Sequence, residues 1–261
     1  MTVDPGNISG QPITPADLLG HLRREGGRFG ALLDGSDAGP IDPGAAVATC
    51  PDWDVAALIG HLGWVHRWAT AAILTGEAPD RSSIGRPDAA ATSTVLRDWY
   101  VEGLDGLCTA LDGADPDAAT WHPFPARRTV GFWFRRLTHE TTIHRVDLEI
   151  ALDNRSPLDA TLASDGIDEY LGVIVPMLIG SGRAVIPEAS LHVHCTDVPG
   201  EWMLRPTDGA PVLTREHAKG DAALRGPAES LLLSLWGRPS GPIEVVGSPA
   251  AADAWSSIGG N

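Results

Sequence analysis

Between Arg135 and Glu149 the chain reads RRLTHETTIHRVDLE, and this stretch restricts the available folds more than any other. Glu140 and His144 stand four residues apart and Asp147 three further on, so a helix carries all three on one face. Trp133, Leu137, Thr141, Leu148 and Ala151 continue the same helical stripe. The spacing therefore predicts a carboxylate, an imidazole and a second carboxylate pointing into a helix-packing interface. Burying an ionised carboxylate alone costs roughly several kcal/mol, and a divalent metal is one of the few partners that satisfies Glu and His together.

The third donor is sought in CPDWDVAALIGHLGWVHRW, Cys50 to Trp68. Asp52 or Asp54 would cap a long helix there. Leu58, His61, Leu62, Val65, Ala69, Ala72 and Ile73 share one stripe, which places His61 on its buried face and makes it the candidate third ligand. Plainer readings stand beside this one. A hydrogen-bonded core histidine accounts for His61 taken alone, and Glu140 has an alternative partner in Arg136. His66 and His139 fall off the ligand positions and read as packing or surface histidines. Cys50, at a helix entrance, is expected to be structural, although a helix N-terminus favours a thiolate.

The remaining pattern divides the chain. Residues 1–13 lack periodicity and read as a loose tail. Thr14-Pro15 opens a helix running to about Leu33 with Gly26-Gly27 weakening its middle, and further helices are expected over Ser93–Leu111 and Val130–Leu152. With the His61 helix these make a four-helix bundle over residues 14–154, with ligands converging from facing helices. The apolar connector segment Trp121-His122-Pro123-Phe124-Pro125 is expected to cover the mouth of a cavity.

Residues 155–261 read as an α+β domain. A helix is expected over Ala160–Leu178, strands at Ser190–Thr196, Glu201–Pro206, Ala222–Gly226 and Ile243–Val246, and helices after Pro227 and Pro249. His192 and His194 point to one face of a strand, the arrangement of a second metal pair. The fold class is thus α+β, a helical bundle followed by a smaller mixed domain.

Composition removes whole classes of function. Lys and Arg total 19 against 34 Asp and Glu, a formal charge of −15, so a nucleic-acid backbone would be repelled. No apolar run reaches the roughly 20 residues of a membrane span, and the N-terminus has no signal-peptide pattern, so a cytoplasmic protein is expected. Three widely spaced cysteines, Cys50, Cys108 and Cys195, argue against a disulfide framework or a thiolate zinc cluster.

CPDWDVAALIGHLGWVHRW and LTHETTIHRVDLE resemble the two helix signatures of the mycothiol-dependent maleylpyruvate isomerase family, relatives of the DinB-like metal-binding bundles. LRGPAESLLLSLWGRP is similar to the strand and helix of that family's smaller sterol-carrier-like C-terminal domain. The resemblance implies metal ligation by His61, Glu140 and His144, with Asp147 beside the ion, zinc as the expected divalent metal and mycothiol as cosubstrate.

Three protein ligands leave a zinc position open, and a thiol bound there is deprotonated near neutral pH, ready to attack an electrophilic small molecule. Isomerase and S-transferase outcomes both follow from that chemistry. Asp147 would orient a ligand imidazole or accept the thiol proton, and Arg225 and Arg238 are candidate anchors for an anionic substrate. A hydrolase using metal-activated water, and a non-enzymatic metal or ligand binder, are the alternatives. A monomer or homodimer is expected.

Overall fold

The computed structural model describes residues 13–35, 40–88, 91–208 and 210–259, which leaves the expected tail at residues 1–12 outside the described residues. The protein is α+β, and its contacts cluster into a helical unit, Thr14–Ser156, and a second unit that contains Pro157 onward.

The helical unit holds α1 (Pro15–Leu33), α2 (Val55–Thr75), α3 (Ser93–Asp112) and α4 (Val130–Ala151). Thr14 caps α1 by accepting from the Asp17 amide at 3.2 Å, with Pro15 at the first helical position where its missing N–H costs nothing. Helix α1 packs on α3 and α4, and α2 packs on the same two, so α2 and α4 are neighbours.

Glycines set how closely the helices approach. The Gly26-Gly27 pair does not interrupt α1: a Cβ on Gly26 would lie 2.7 Å from both Leu104 methyl carbons, so the bare backbone admits α3. Gly63 does the same for α2, where a Cβ would stand 2.3 Å from the Trp99 ring. Helix α4 does not follow the single-stripe expectation. Arg136, Thr138, His139, Thr142, Arg145 and Glu149 are buried along with Leu137 and Leu148, so nearly its whole circumference is enclosed. Its buried charges are paired: Arg145 donates to Glu25 of α1 at 2.6 Å and also to Glu149.

The Trp121–Pro125 connector is anchored by one buried ring, with Pro123 and Pro125 exposed. His122 is fully buried and stacks on Phe132 at 3.9 Å between ring centroids, while Trp68 meets both Trp121 and Trp133 edge-on at 5.5 Å.

In the second unit the expected single helix over Ala160–Leu178 is three pieces: α5 (Ala160–Glu169), a π turn at Tyr170–Ile174 and α6 (Val175–Gly180). Pro176 explains the break, because it cannot donate to an α-helical bond and its ring crowds the preceding turn, which widens to accommodate it.

The sheet has five strands, β1 (Leu191–Cys195), β2 (Glu201–Arg205), β3 (Val212–Thr214), β4 (Ala222–Gly226) and β5 (Glu244–Gly247), in the order β3-β2-β1-β4-β5. β1 and β4 run parallel and every other pair antiparallel. Strand β3, absent from the sequence reading, is three residues long and too short to show an alternation. α7 (Ala228–Leu235) and α8 (Pro249–Ser256) pack against β1 and β4. Among the described residues no helix is long and apolar enough to cross a membrane.

Candidate metal centre

Asp54, not Asp52, caps α2, accepting from the Ala57 amide at 2.7 Å. Its carboxylate fixes where the helical turns begin, and so which face carries His61. Because α2 and α4 are neighbours, that face meets Glu140 and His144. His61 Nε2 lies 2.9 Å from Glu140 Oε1, and His144 Nε2 lies 3.4 Å from the same oxygen. The two imidazoles stand edge to face with centroids 4.9 Å apart.

His61, expected on the buried face of its helix, is only partly buried: its side chain is 29% exposed and that of Glu140 19%. The interface between α2 and α4 is open on this side, so the donors face a solvent-accessible edge and not a sealed core.

The donor set fits a zinc-like ion. Tetrahedral bonds of about 2.1 Å place neighbouring donors about 3.4 Å apart, and one nitrogen or oxygen each from His61, Glu140 and His144 lie within 4.8 Å of one another. The alternative pairing of Glu140 with Arg136 is also present and uses the other oxygen: Arg136 Nη2 donates to Oε2 at 2.6 Å. Burial works against the Glu140 charge, but Arg136 and the hydrogen bonds from His144 and His61 outweigh it and hold the carboxyl well below its usual range.

Behind the triad, Asp147 is fully buried and its Oδ2 accepts from His144 Nδ1 at 2.9 Å. That bond fixes the orientation of the ring and turns Nε2 toward His61 and Glu140. Burial disfavours an imidazolium at His144, yet its contacts with Asp147, Cys50 and Glu140 raise its pKa well above the ordinary value.

Two participants were missed in the sequence. Cys50, expected to be structural, donates its Sγ to the same Asp147 oxygen at 3.4 Å, and with His144 and Asp147 it forms a second, overlapping donor group. Trp53 lies 4.8 Å from the His61 ring and stacks on His144 at 6.0 Å. Both are delivered by the tight loop before α2, closed by hydrogen bonds from Val47 to Trp53 and from Trp53 to Cys50, with Asp52 in the left-handed region at φ 67°. The turn residues of CPDWD marked that loop; nothing in their spacing pointed it back at α4.

The other candidates have separate surroundings. His66 is fully buried and hydrogen-bonded to Thr141 Oγ1 at 2.9 Å, and His139 is buried too, so neither is a surface histidine. Arg225 and Arg238 belong to the second unit. Arg225 donates to Glu244, its cross-strand neighbour, at 3.3 Å, and Arg238 donates to the Trp236 carbonyl at 2.6 Å.

Comparison with known proteins gives a consistent answer for both units. The profile of the mycothiol maleylpyruvate isomerase N-terminal domain matches residues 22–149, and that of the MDMPI C-terminal domain matches residues 161–254. The fold is similar to a crystal structure of the mycothiol-dependent maleylpyruvate isomerase, with a TM-score of 0.60 at 15% identity, covering 89% of this chain and 92% of that one. A mutant of the same isomerase matches with a TM-score of 0.60 at 14% identity and the same coverage. At these identities the structural likeness is one of fold. No curated protein sequence matches the chain significantly.

Proposed function

The chain belongs to the mycothiol-dependent maleylpyruvate isomerase family, and from that premise we propose that it is a metal-dependent enzyme whose cosubstrate is the small thiol mycothiol. The thiol attacks an electrophilic small molecule, in a cis-trans isomerisation or an S-transfer. The observation that carries this reading is the convergence of His61, Glu140 and His144 at one solvent-accessible edge.

These three side chains would hold a divalent cation, most simply zinc, and such an ion supplies a Lewis acid that makes a thiol a thiolate near neutral pH. Arg136 fixes the plane of the Glu140 carboxylate by occupying Oε2, which leaves Oε1 facing the imidazoles. Asp147 holds the His144 proton at Nδ1. With no exposed surface, Asp147 is better suited to orienting that ring than to receiving a proton from the substrate thiol. The exposed edge of His61 leaves room for a thiol to approach.

In the isomerase outcome the sulfur adds to a cis-alkene conjugated with a carbonyl, the former double bond rotates as a single bond, and expulsion of the sulfur restores the alkene in the trans form. In the transferase outcome the new carbon–sulfur bond stays, and the electron pair of the broken bond leaves with a departing group or, where the electrophile is opened, on an atom that takes up the proton lost by the thiol. Arg225 and Arg238 are secondary candidates for holding an anionic substrate group. Action in the cytoplasm is in keeping with Cys50, Cys108 and Cys195 forming no disulfide among the described residues.

The test incubates the zinc-loaded full-length protein with mycothiol and a panel of electrophiles, following adduct mass and cis-to-trans conversion. Product formation that requires mycothiol is expected. Turnover equally fast without any thiol would replace this reading with metal-activated water and hydrolysis.

A further inference from the structure

The second unit carries its own cluster of metal-binding side chains. Alternation along β1 sends Leu191, Val193 and Cys195 to one face of the sheet, and His192 and His194 to the other. Glu201 begins β2 directly opposite His194 in the antiparallel register, so its carboxylate lies on the histidine face. His217 comes from the irregular stretch between β3 and β4. In the order β3-β2-β1-β4-β5 that stretch must pass β2 and β1 to reach β4, which brings His217 over the strands that carry the other donors.

All three imidazoles gather on a single oxygen. Glu201 Oε2 lies 2.6 Å from His217 Nδ1, 3.1 Å from His192 Nε2 and 3.7 Å from His194 Nδ1. The three rings stand 5.5 to 6.1 Å apart, centroid to centroid. Hydrogen bonding accounts for two of these contacts, and the donor atoms of His192, Glu201 and His217 all lie within 4.8 Å of one another, close enough to share one cation. The cluster borders a cleft of about 570 Å³, which gives an ion a way in.

We propose that His192, Glu201 and His217 form a second divalent-metal site, in the C-terminal unit, with His194 as an adjacent fourth donor. A set of two or three imidazoles and one carboxylate suits a zinc-type ion of borderline softness and disfavours magnesium or calcium, which prefer oxygen donors. One donor sits on the β3–β4 crossover and the rest on the sheet, so the ion pins an otherwise irregular segment to the strands beneath it. The site is independent of the function proposed above, since none of its ligands lies in the helical unit.

The test is a cobalt titration of chelator-stripped, full-length protein, read by the visible absorption of bound Co2+ and by thermal melting. The His61→Ala variant isolates the proposed site: it is expected to bind about one Co2+ per chain and to melt at a higher temperature when loaded. In the His61→Ala, His217→Ala double variant both effects disappear. His217 is largely exposed, with 72% of its side chain accessible, so its removal leaves the metal-free melting temperature unchanged. As a second route, His217→Ala in the otherwise unaltered chain lowers the bound cobalt by one equivalent. Cobalt binding that His217→Ala leaves at full stoichiometry in both backgrounds, or a cobalt-free His61→Ala protein that melts normally, would overturn the proposal.

Discussion

His61 and Glu140, 79 residues apart in the chain and on different helices, meet at 2.9 Å. That contact joins α2 to α4 at the point where His144 adds its Nε2. Two imidazoles and a carboxylate brought together in this way are the ligand set proposed for the ion, and the groups around them have consequences that can be measured.

Asp147 orients the His144 ring without itself being one of the three donors. Asp147→Asn keeps the shape and removes the charge that holds the Nδ1 hydrogen. Loss of such an outer partner typically weakens metal affinity about 10- to 100-fold. Competition against a chromophoric chelator should show a loss of that size at the helical site, with the far-ultraviolet dichroism unchanged.

The packing of α2 on α3 depends on the absence of a side chain at position 63. Gly63→Ala places a Cβ 2.3 Å from the Trp99 ring, well inside van der Waals contact. Overpacking of this kind costs about 1–3 kcal/mol. Urea unfolding should show a loss in that range, whereas Gly20→Ala, where a Cβ meets nothing within 4 Å, should not destabilise the protein.

Burial lowers the His66 pKa to about 3 from an ordinary 6.5. Between those values the unfolded chain holds a proton that the folded one refuses, so stability rises with pH and is lost progressively as the pH falls below 6.5. Each unit is worth about 1.4 kcal/mol, or about 2 kcal/mol by pH 5. His66→Gln, which can still bond to Thr141, should lack this component, and its urea midpoint should fall less between pH 7 and 5 than that of the parent.

Much of this arrangement was legible in the sequence. Helical spacing put Glu140, His144 and Asp147 on one face, and the His61 stripe supplied a facing donor, because a period of 3.6 residues is a local property that the chain displays directly. What escaped was non-local. The loop that aims Cys50 and Trp53 at α4 depends on Asp52 adopting a left-handed conformation that its identity permits but does not require. The burial of Arg145 depends on a partner 120 residues away, Glu25. His192 and His194 were visible as a strand pair; Glu201 and His217 joined them only through cross-strand register and the path of the crossover.

The most direct test of the central claim is a zinc-edge anomalous difference map from crystals of the full-length protein grown with zinc. A peak is expected within about 2.3 Å of His61 Nε2, Glu140 Oε1 and His144 Nε2 together. A map with no density among those three atoms, while His61 and Glu140 remain in direct hydrogen-bond contact, would contradict the account.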